Sequence, residues 1–265
     1  VYPAVDRLEV EPTRNIIHDA FEAHIIHAPG MTRIREQVSG PIQPTPGAVM
    51  EAAKLLYDIL GDLVVVDIGG ATTDLHSVTA GSAEISRLLV SPEPFAKRTV
   101  EGDLGVFVNR MRLVDRIGLN TLKQAFPEAS HLAQTIGAMP QTPEEILFIE
   151  RLAAEAAQAA MDRHAGRLQD LYGPTGKKTI AMGKDLTAVS TVIGTGGVLS
   201  QLPGGKSILE AMLSQGTGNR LYPSRDTKIL IDSAYTLAAI GVLSKQFPAA
   251  AKRLLRRQYL EETAG

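Results

Sequence analysis

The sequence contains no cysteine and no tryptophan, and aromatic residues make up only 5% of its 265 residues. Without cysteine the chain has no disulfide, no thiolate metal site and no cysteine nucleophile. This suits a reducing compartment, and we expect a cytoplasmic protein. A core with so few aromatic rings must be built from Val, Ile, Leu and Ala, as is common in α/β proteins with buried strands.

The sequence also lacks a charge imbalance and a long apolar run. Its formal net charge is −2, so no basic field would attract nucleic acid or an anionic membrane. The longest run of large aliphatic residues, at positions 63–66, has the length of a strand and not of a membrane span. We therefore expect partners other than nucleic acid and membranes.

The clearest element of the sequence is a strand at residues 63–67. It is continuously apolar up to its final Asp67, which predicts a strand buried on both faces. The other expected elements are helices at 48–60, 144–171, 233–246 and 248–262, a hairpin meander with strands at 75–79 and 83–90, and strands ending at 193 and spanning 228–231. This pattern predicts an α/β fold.

The residues after this strand carry the strongest chemical signal, reading Asp-Ile-Gly-Gly-Ala-Thr-Thr-Asp at positions 67–74. Glycines let a backbone approach a ligand closely, and successive N–H groups form an anion nest. The two carboxylates could hold Mg²⁺ through waters or orient an attacking water. We interpret the octet as a phosphate-binding loop and not as a plain glycine hairpin. Its catalytic and metal-binding residues would be Asp67 and Asp74, and its phosphate contacts Gly69, Gly70, Ala71, Thr72 and Thr73.

A second glycine-rich turn, Gly-Thr-Gly-Gly at positions 194–197, also follows a strand. Such a turn can hold the phosphates or sugar of a nucleotide, although alone it is equally typical of a tight strand–helix connection. The first motif strengthens the nucleotide interpretation. A third stretch, at 173–179, resembles a P-loop, but its glycines are too close together and it follows a predicted helix. We interpret it as part of a hairpin with solvated lysines.

Several polar residues carry weaker signals. Glu101 and Asp103 flank a glycine, a pattern that a solvated helix start explains at least as well. His24 and His27 are three residues apart, with His18 upstream, but no third metal ligand can be placed. We expect these histidines to be ordinary polar or core residues, and we expect His76, after the first motif, to be structural.

The two glycine motifs together resemble the superfamily of actin, sugar kinases and heat-shock chaperone ATPases. The resemblance implies a ribonuclease-H-like α/β fold of the actin ATPase type, with the second lobe and part of the first. Residues 1–60 would be the end of the first lobe with a connecting helix, and residues 61–265 the second lobe. ATP and Mg²⁺ are the implied cofactors. The implied adenosine side consists of Gly194, Thr195, Gly196 and Gly197, with Glu101 as a ribose contact.

Four stretches, at 44–49, 67–77, 100–105 and 192–197, are together similar to the glutamate mutase accessory protein family, called MutL or GlmL. The similarity extends from Tyr2 to about Phe247. It implies a chaperone that uses ATP to reactivate an adenosylcobalamin-dependent mutase or aminomutase, by analogy with the reactivating factors of diol dehydratase and ethanolamine lyase. The client enzyme is not implied, and a homo-oligomer is left open.

One expected part of this superfamily is absent. Its first phosphate loop, of the type Asp-x-Gly-Ser/Thr-x-Thr, should lie well before Tyr2, and the chain begins at Val1 without a Met or a signal peptide. We therefore expect a fragment that binds nucleotide weakly and hydrolyses it poorly or not at all, with ATPase activity in the full-length protein. Two alternatives are a hydantoinase, oxoprolinase or sugar-kinase-like enzyme subunit, and a partner-binding subunit that does not hydrolyse ATP.

Overall fold

A computed structural model of the chain describes residues 16, 20, 31–38, 40, 42–174, 176–216 and 218–261. Its strands are β1 (Leu63–Ile68), β2 (Thr73–Val78), β3 (Ala96–Glu101), β4 (Arg167–Gly173), β5 (Gly176–Met182), β6 (Thr191–Thr195) and β7 (Lys228–Ile231). Its helices are α1 (Met31–Gln37), α2 (Thr45–Leu60), α3 (Ala83–Ser86), α4 (Arg110–Ile117), α5 (Leu119–Ala125), α6 (Ala129–Thr135), α7 (Pro143–His164), α8 (Gly197–Gln201), α9 (Gly205–Ser214), α10 (Leu237–Ser244) and α11 (Pro248–Arg256), followed by a π-helix (Arg257–Glu261).

Five strands form the central sheet, in the order β3-β2-β1-β6-β7. Strand β2 runs antiparallel to both of its neighbours, whereas β1, β6 and β7 run parallel to one another. When the five strands of this sheet alone are numbered in chain order, their spatial order is 3-2-1-4-5, and only the second strand runs in the opposite direction. This is the arrangement of the ribonuclease-H-like fold, and the predicted fold class is confirmed.

Helices cover both faces of this sheet and bury two separate cores. On one face, side chains of β1 such as Val64 and Val66 pack with α7, α9 and the helices between β3 and α7. On the other face, Leu63 and Val65 pack with α2, α10 and α11 and with Tyr259 of the π-helix. Because successive side chains of a strand point to opposite faces, the unbroken valine run predicted this double coverage.

Helices α2 and α10 cross with their backbones in contact. A Cβ atom built on Gly241 of α10 would lie 1.8 Å from the carbonyl oxygen of Ala48 in α2. Only glycine fits at this point of the crossing, because any side chain would collide with the backbone of α2. The helix at 48–60 thus packs on the sheet that follows it. The division into lobes at residue 60 stays a prediction.

Two predicted elements are wrong in extent. The strand expected at 83–90 is the short helix α3, because the Ser82 hydroxyl accepts a hydrogen bond from the Ile85 N–H and caps a turn there. The third strand is β3, which begins at Ala96, after the end of the expected strand at residue 90. The long helix expected to reach residue 171 ends at His164, since Gly166 passes so close to the backbone of Gly183 that no helix could continue.

The residues after α7 form the two-stranded sheet β4–β5 instead. Its pairing brings Gly173 opposite Gly176, and Lys177 and Lys178 are exposed on it. The P-loop-like stretch therefore lies in a hairpin, as the sequence predicted. Within the described part of the chain, no helix is both long and apolar enough to cross a membrane.

Candidate functional site

The predicted motifs meet at one edge of the central sheet. Strands β1, β6 and β7 are parallel, so their carboxyl ends lie side by side, which is where open α/β sheets bind ligands. Asp67 near the end of β1 pairs in register with Asp74 of β2 on one side and with Thr195 of β6 on the other. Asp232 follows β7 directly. The phosphate and adenosine motifs are therefore neighbours.

Gly196 brings the two motifs into direct contact. Its φ is +88°, and a Cβ atom there would lie 2.4 Å from the Ile68 carbonyl oxygen and 2.5 Å from Oδ1 of Asp67. A side chain at this position would therefore both strain the backbone and displace the carboxylate. The glycine is required by the approach of the second loop to the first.

Both loops line one cavity of about 760 Å³. Gly70 contributes from the first loop and Gly197 from the second, together with Tyr235 after β7. The remaining lining is mainly apolar and consists of Ile68, Val106, Phe107, Gly137, Ala138, Met139, Pro140, Gln141, Ile149, Val198, Gln201, Leu202 and Ala234. A volume and lining of this kind are typical of small-molecule sites. The two glycine loops therefore share one cleft, and the binding of a nucleotide there stays a prediction.

A segment that we call the strap, residues 102–109, holds the first loop in place. The N–H groups of Val106, Phe107 and Val108 donate to the carbonyls of Gly69 and Gly70, and Asn109 Nδ2 donates to the carbonyl of Ala71. In a trans peptide the carbonyl and the next N–H point in opposite directions. The N–H groups of Gly70, Ala71 and Thr72 therefore point away from the strap.

The paired carboxylates Asp67 and Asp74 are buried and electrostatically unfavourable as a pair of anions. Burial, together with the nearby Asp232 charge, raises the pKa of Asp67 to about 6. Burial and the charge of Asp67 raise the pKa of Asp74 to about 7. Oδ1 of Asp74 is buried without a hydrogen-bond partner. A cation or a hydrogen-bond donor placed between such carboxylates would stabilise their ionised forms.

Asp232 is a site residue that the sequence prediction missed. It is fully buried and accepts hydrogen bonds from the Thr195 hydroxyl, from the N–H groups of Thr236 and Leu237, and from Nε2 of Gln258. Its oxygens are thus used to join the second loop, the start of α10 and the π-helix. Its position in the sequence could have indicated this role, because Asp232 follows the apolar strand β7 much as Asp67 comes near the end of β1.

Three of the predicted contact residues have their polar groups engaged elsewhere. Thr73 is buried and its hydroxyl donates to the Leu104 carbonyl at 2.8 Å, so it holds the strap and does not face the cavity. The Thr195 hydroxyl is used by Asp232. Glu101 is ion-paired with Arg163 at 2.5 Å, and it does not line the cavity. Thr72, whose hydroxyl lies 3.4 Å from Oδ2 of Asp74, is the remaining hydroxyl at the loop.

Gly194 lies inside strand β6, where its Cβ position faces the side chains of Ile231, Leu209 and Leu199. Core packing accounts for glycine at this position, and the cavity lining does not include it. A nucleotide contact by Gly194 stays a prediction. Of the second motif, Gly196 and Gly197 are the residues that the structure brings to the first loop and the cavity.

His76 and His164 have structural positions, as expected for His76. It is fully buried, neither ring nitrogen has a hydrogen-bond partner, and burial lowers its pKa to about 3. His164 bridges Ser77 and Thr99 between α7 and the sheet. The candidates His18, His24 and His27 lie outside the described residues.

The site fits a nucleotide and its metal in two respects. Nothing lies within 4 Å of the Cβ position of Gly197, which leaves room for a phosphate chain against the backbone there. The buried oxygen Oδ1 of Asp74 has no hydrogen-bond partner, so it could serve as a ligand atom. Within the part of the chain that the structure describes, no group of three or more His, Cys, Asp or Glu side chains could hold a metal ion. A Mg²⁺ ion held by Asp67 and Asp74 would therefore need waters and phosphate oxygens for the rest of its coordination.

Comparison with known proteins gives one sequence family and one curated relative. The model of the family described as MutL protein matches residues 1–259. The relative is Protein MutL of Clostridium tetanomorphum, which is 37% identical over 274 aligned residues. The alignment covers 97% of this chain and 59% of the relative, so the chain spans about three fifths of that protein.

Comparison with solved structures gives the crystal structure of ethanolamine utilization protein EutJ from Carboxydothermus hydrogenoformans. It is 14% identical, with a TM-score of 0.33, and the match covers 74% of this chain and 52% of that one.

Proposed function

Because the chain belongs to the MutL protein family, we propose that it forms the nucleotide-binding lobe of a glutamate mutase accessory protein. The ligand would be ATP with Mg²⁺, bound in the cavity between the two glycine loops. One observation carries this proposal. Paired buried carboxylates, the glycine loop that follows β1 and a cavity lined by both glycine loops lie together at the carboxyl edge of a ribonuclease-H-like sheet.

Each part of the site would act by positioning and electrostatics. The N–H groups at Gly70, Ala71 and Thr72 would donate to phosphate oxygens. Asp67 and Asp74 would hold Mg²⁺, which when bound neutralises phosphate charge, or would orient a water. The apolar end of the cavity, with Phe107 and Val198, would exclude water from the base.

The output of this site would be the reactivation of an adenosylcobalamin-dependent mutase or aminomutase in the cytoplasm. This follows from the motifs that resemble the glutamate mutase accessory family. Nucleotide-dependent closure of two lobes would couple the cavity to the partner enzyme. The chain spans about three fifths of its relative, so hydrolysis and partner release are proposed for the longer protein.

Isothermal titration of the chain with ATP and Mg²⁺ tests the binding step, and the longer protein provides the ATPase assay. Asp67→Ala should abolish turnover in the longer protein, because it removes a proposed Mg²⁺ ligand, and it should not unfold the protein, because the burial of this carboxylate is unfavourable. As a matched control, Asp115→Ala removes an exposed carboxylate from α4 and should change neither property.

Three outcomes are informative. Unchanged turnover in Asp67→Ala would show that the site is misassigned. Binding without turnover in the longer protein would favour the partner-binding subunit that does not hydrolyse ATP. Turnover of hydantoins or sugars would favour the alternative enzyme classes and would contradict the accessory role.

A further inference from the structure

Tyr235 has an unfavourable backbone conformation. Among the described residues, it alone of the non-glycine residues has a positive φ, at 53°. Glycine, asparagine or aspartate normally occupies this left-handed region, because the Cβ of other residues is crowded there. An aromatic residue in this conformation is strained, and strained residues gather at functional sites.

The surrounding turn enforces this strain. The Tyr235 N–H donates to the Asp232 carbonyl, and the next N–H, of Thr236, donates to Oδ1 of Asp232. Gln258 donates to the same carboxylate oxygen from the π-helix. Strained conformations persist where the neighbouring structure overdetermines them, and these contacts leave the turn little freedom to relax.

Core packing does not explain why this position holds a tyrosine. The side chain is 56% exposed, and neither core on the two faces of the sheet includes it. A turn that needs a left-handed residue is made more easily by glycine. The side chain instead lines the cavity together with Gly70 and Gly197, beside the carboxylate of Asp67.

We propose that Tyr235 contacts the nucleotide directly, with its hydroxyl donating a hydrogen bond to a phosphate oxygen at the glycine-lined end of the cavity. The strained turn holds the phenol at this position. This inference rests on the proposed function, since it requires a nucleotide in the cavity.

The local charges explain why a phenol suits this role. Burial and the charges of Asp67 and Asp232 raise the pKa of Tyr235, so the hydroxyl keeps its proton. It is therefore a neutral donor that adds no further negative charge beside Asp67 and Asp74. The Tyr235 hydroxyl can donate a hydrogen bond to an anionic phosphate oxygen here, whereas a third carboxylate at this position would repel that oxygen.

Two substitutions distinguish the effect of the Tyr235 hydroxyl from the effect of the strained backbone. Tyr235→Phe keeps the ring and the backbone and removes only the hydroxyl, and we expect the Kd of the chain for ATP with Mg²⁺ to rise roughly tenfold. Tyr235→Gly removes the whole side chain and relieves the strain. It should weaken binding at least as much as the phenylalanine variant, while the midpoint of urea denaturation stays equal or rises.

The control is Tyr172→Phe, which removes the hydroxyl of a tyrosine that is 79% exposed on strand β4. It should leave the Kd unchanged. If wild type binds ATP with Mg²⁺ and Tyr235→Phe binds it equally well, the inference about Tyr235 is overturned and the proposed function stands. If wild type, the longer protein included, binds no nucleotide, both are overturned.

Discussion

Replacing Asp74 by asparagine should stabilise the folded chain at pH 8 and destabilise it near pH 4, where mainly the cost of burying the amide remains. The pKa of Asp74 is about 7 in the folded chain, so it keeps its proton up to about pH 7, whereas the unfolded chain releases it near the ordinary aspartate pKa of 3.8. Between these values the folded state binds more protons, so its stability falls as the pH rises. Asparagine does not titrate and escapes this loss.

The size of the effect follows from the shift. About three pKa units correspond to ~4 kcal/mol, which is the upper limit of the gain at pH 8. The amide of asparagine would still place a polar atom where Oδ1 of Asp74 is buried without a hydrogen-bond partner in the wild type. We therefore expect a net gain of about 2 kcal/mol. The same variant should bind ATP with Mg²⁺ at least tenfold more weakly, because a ligand oxygen for the cation is lost.

Urea denaturation of wild type and variant between pH 4 and pH 8 measures this difference. The matched control is Asp103→Asn, since Arg163 hydrogen-bonds the exposed Asp103 and lowers its pKa. That substitution should slightly destabilise the chain at pH 8 and have less effect at low pH. A stability difference for Asp74→Asn that does not vary with pH would refute the reasoning about its burial.

Other substitutions test the packing around the site by thermal or urea denaturation. Gly196→Ala should destabilise the chain by about 2–3 kcal/mol, because of its positive φ and the close approach of Asp67; Gly197→Ala, with nothing near its Cβ position, is the control and should be nearly neutral. Gly241→Ala should cost about 3 kcal/mol by forcing α2 and α10 apart, and a smaller loss than for Gly196→Ala would contradict the crossing. Burial lowers the pKa of His164, so below pH 6.5 only the unfolded chain gains its proton and the contribution of His164 to stability falls, while Asp67 and Asp74 act in the opposite direction. His164→Ala should be less stable than wild type by about 3 kcal/mol near pH 8, and this difference should shrink as the pH falls. A difference that does not vary with pH would exclude the titration of His164 as its cause.

The sequence predicted the elements whose burial is visible in their composition. The apolar run of β1 and the aspartate that ends it could be recognised because a strand covered on both faces has no polar alternation. The partner strand β3 was misplaced for the opposite reason. It is an edge strand with the sequence Ala-Lys-Arg-Thr-Val-Glu and mostly half-exposed side chains, so its composition resembles that of a surface loop.

The residues of the site could be predicted from the sequence where they lie together in one short motif. Asp67, Asp74 and the glycines of both loops lie in two short motifs. The roles of Asp232 and Tyr235 depend on contacts between β7, the second loop and the π-helix. No local pattern encodes such contacts. The same is true of Thr73, whose hydroxyl proved to be used by the strap.

The β4–β5 hairpin offers a practical point of attachment. Leu171 and Tyr172 near its turn are exposed, and none of its described residues lines the cavity. A dye, an affinity tag or a cross-linker placed there would leave both glycine loops untouched. Since the chain has no cysteine, a single cysteine introduced at Tyr172 would be its one thiol and could be labelled selectively to follow partner binding.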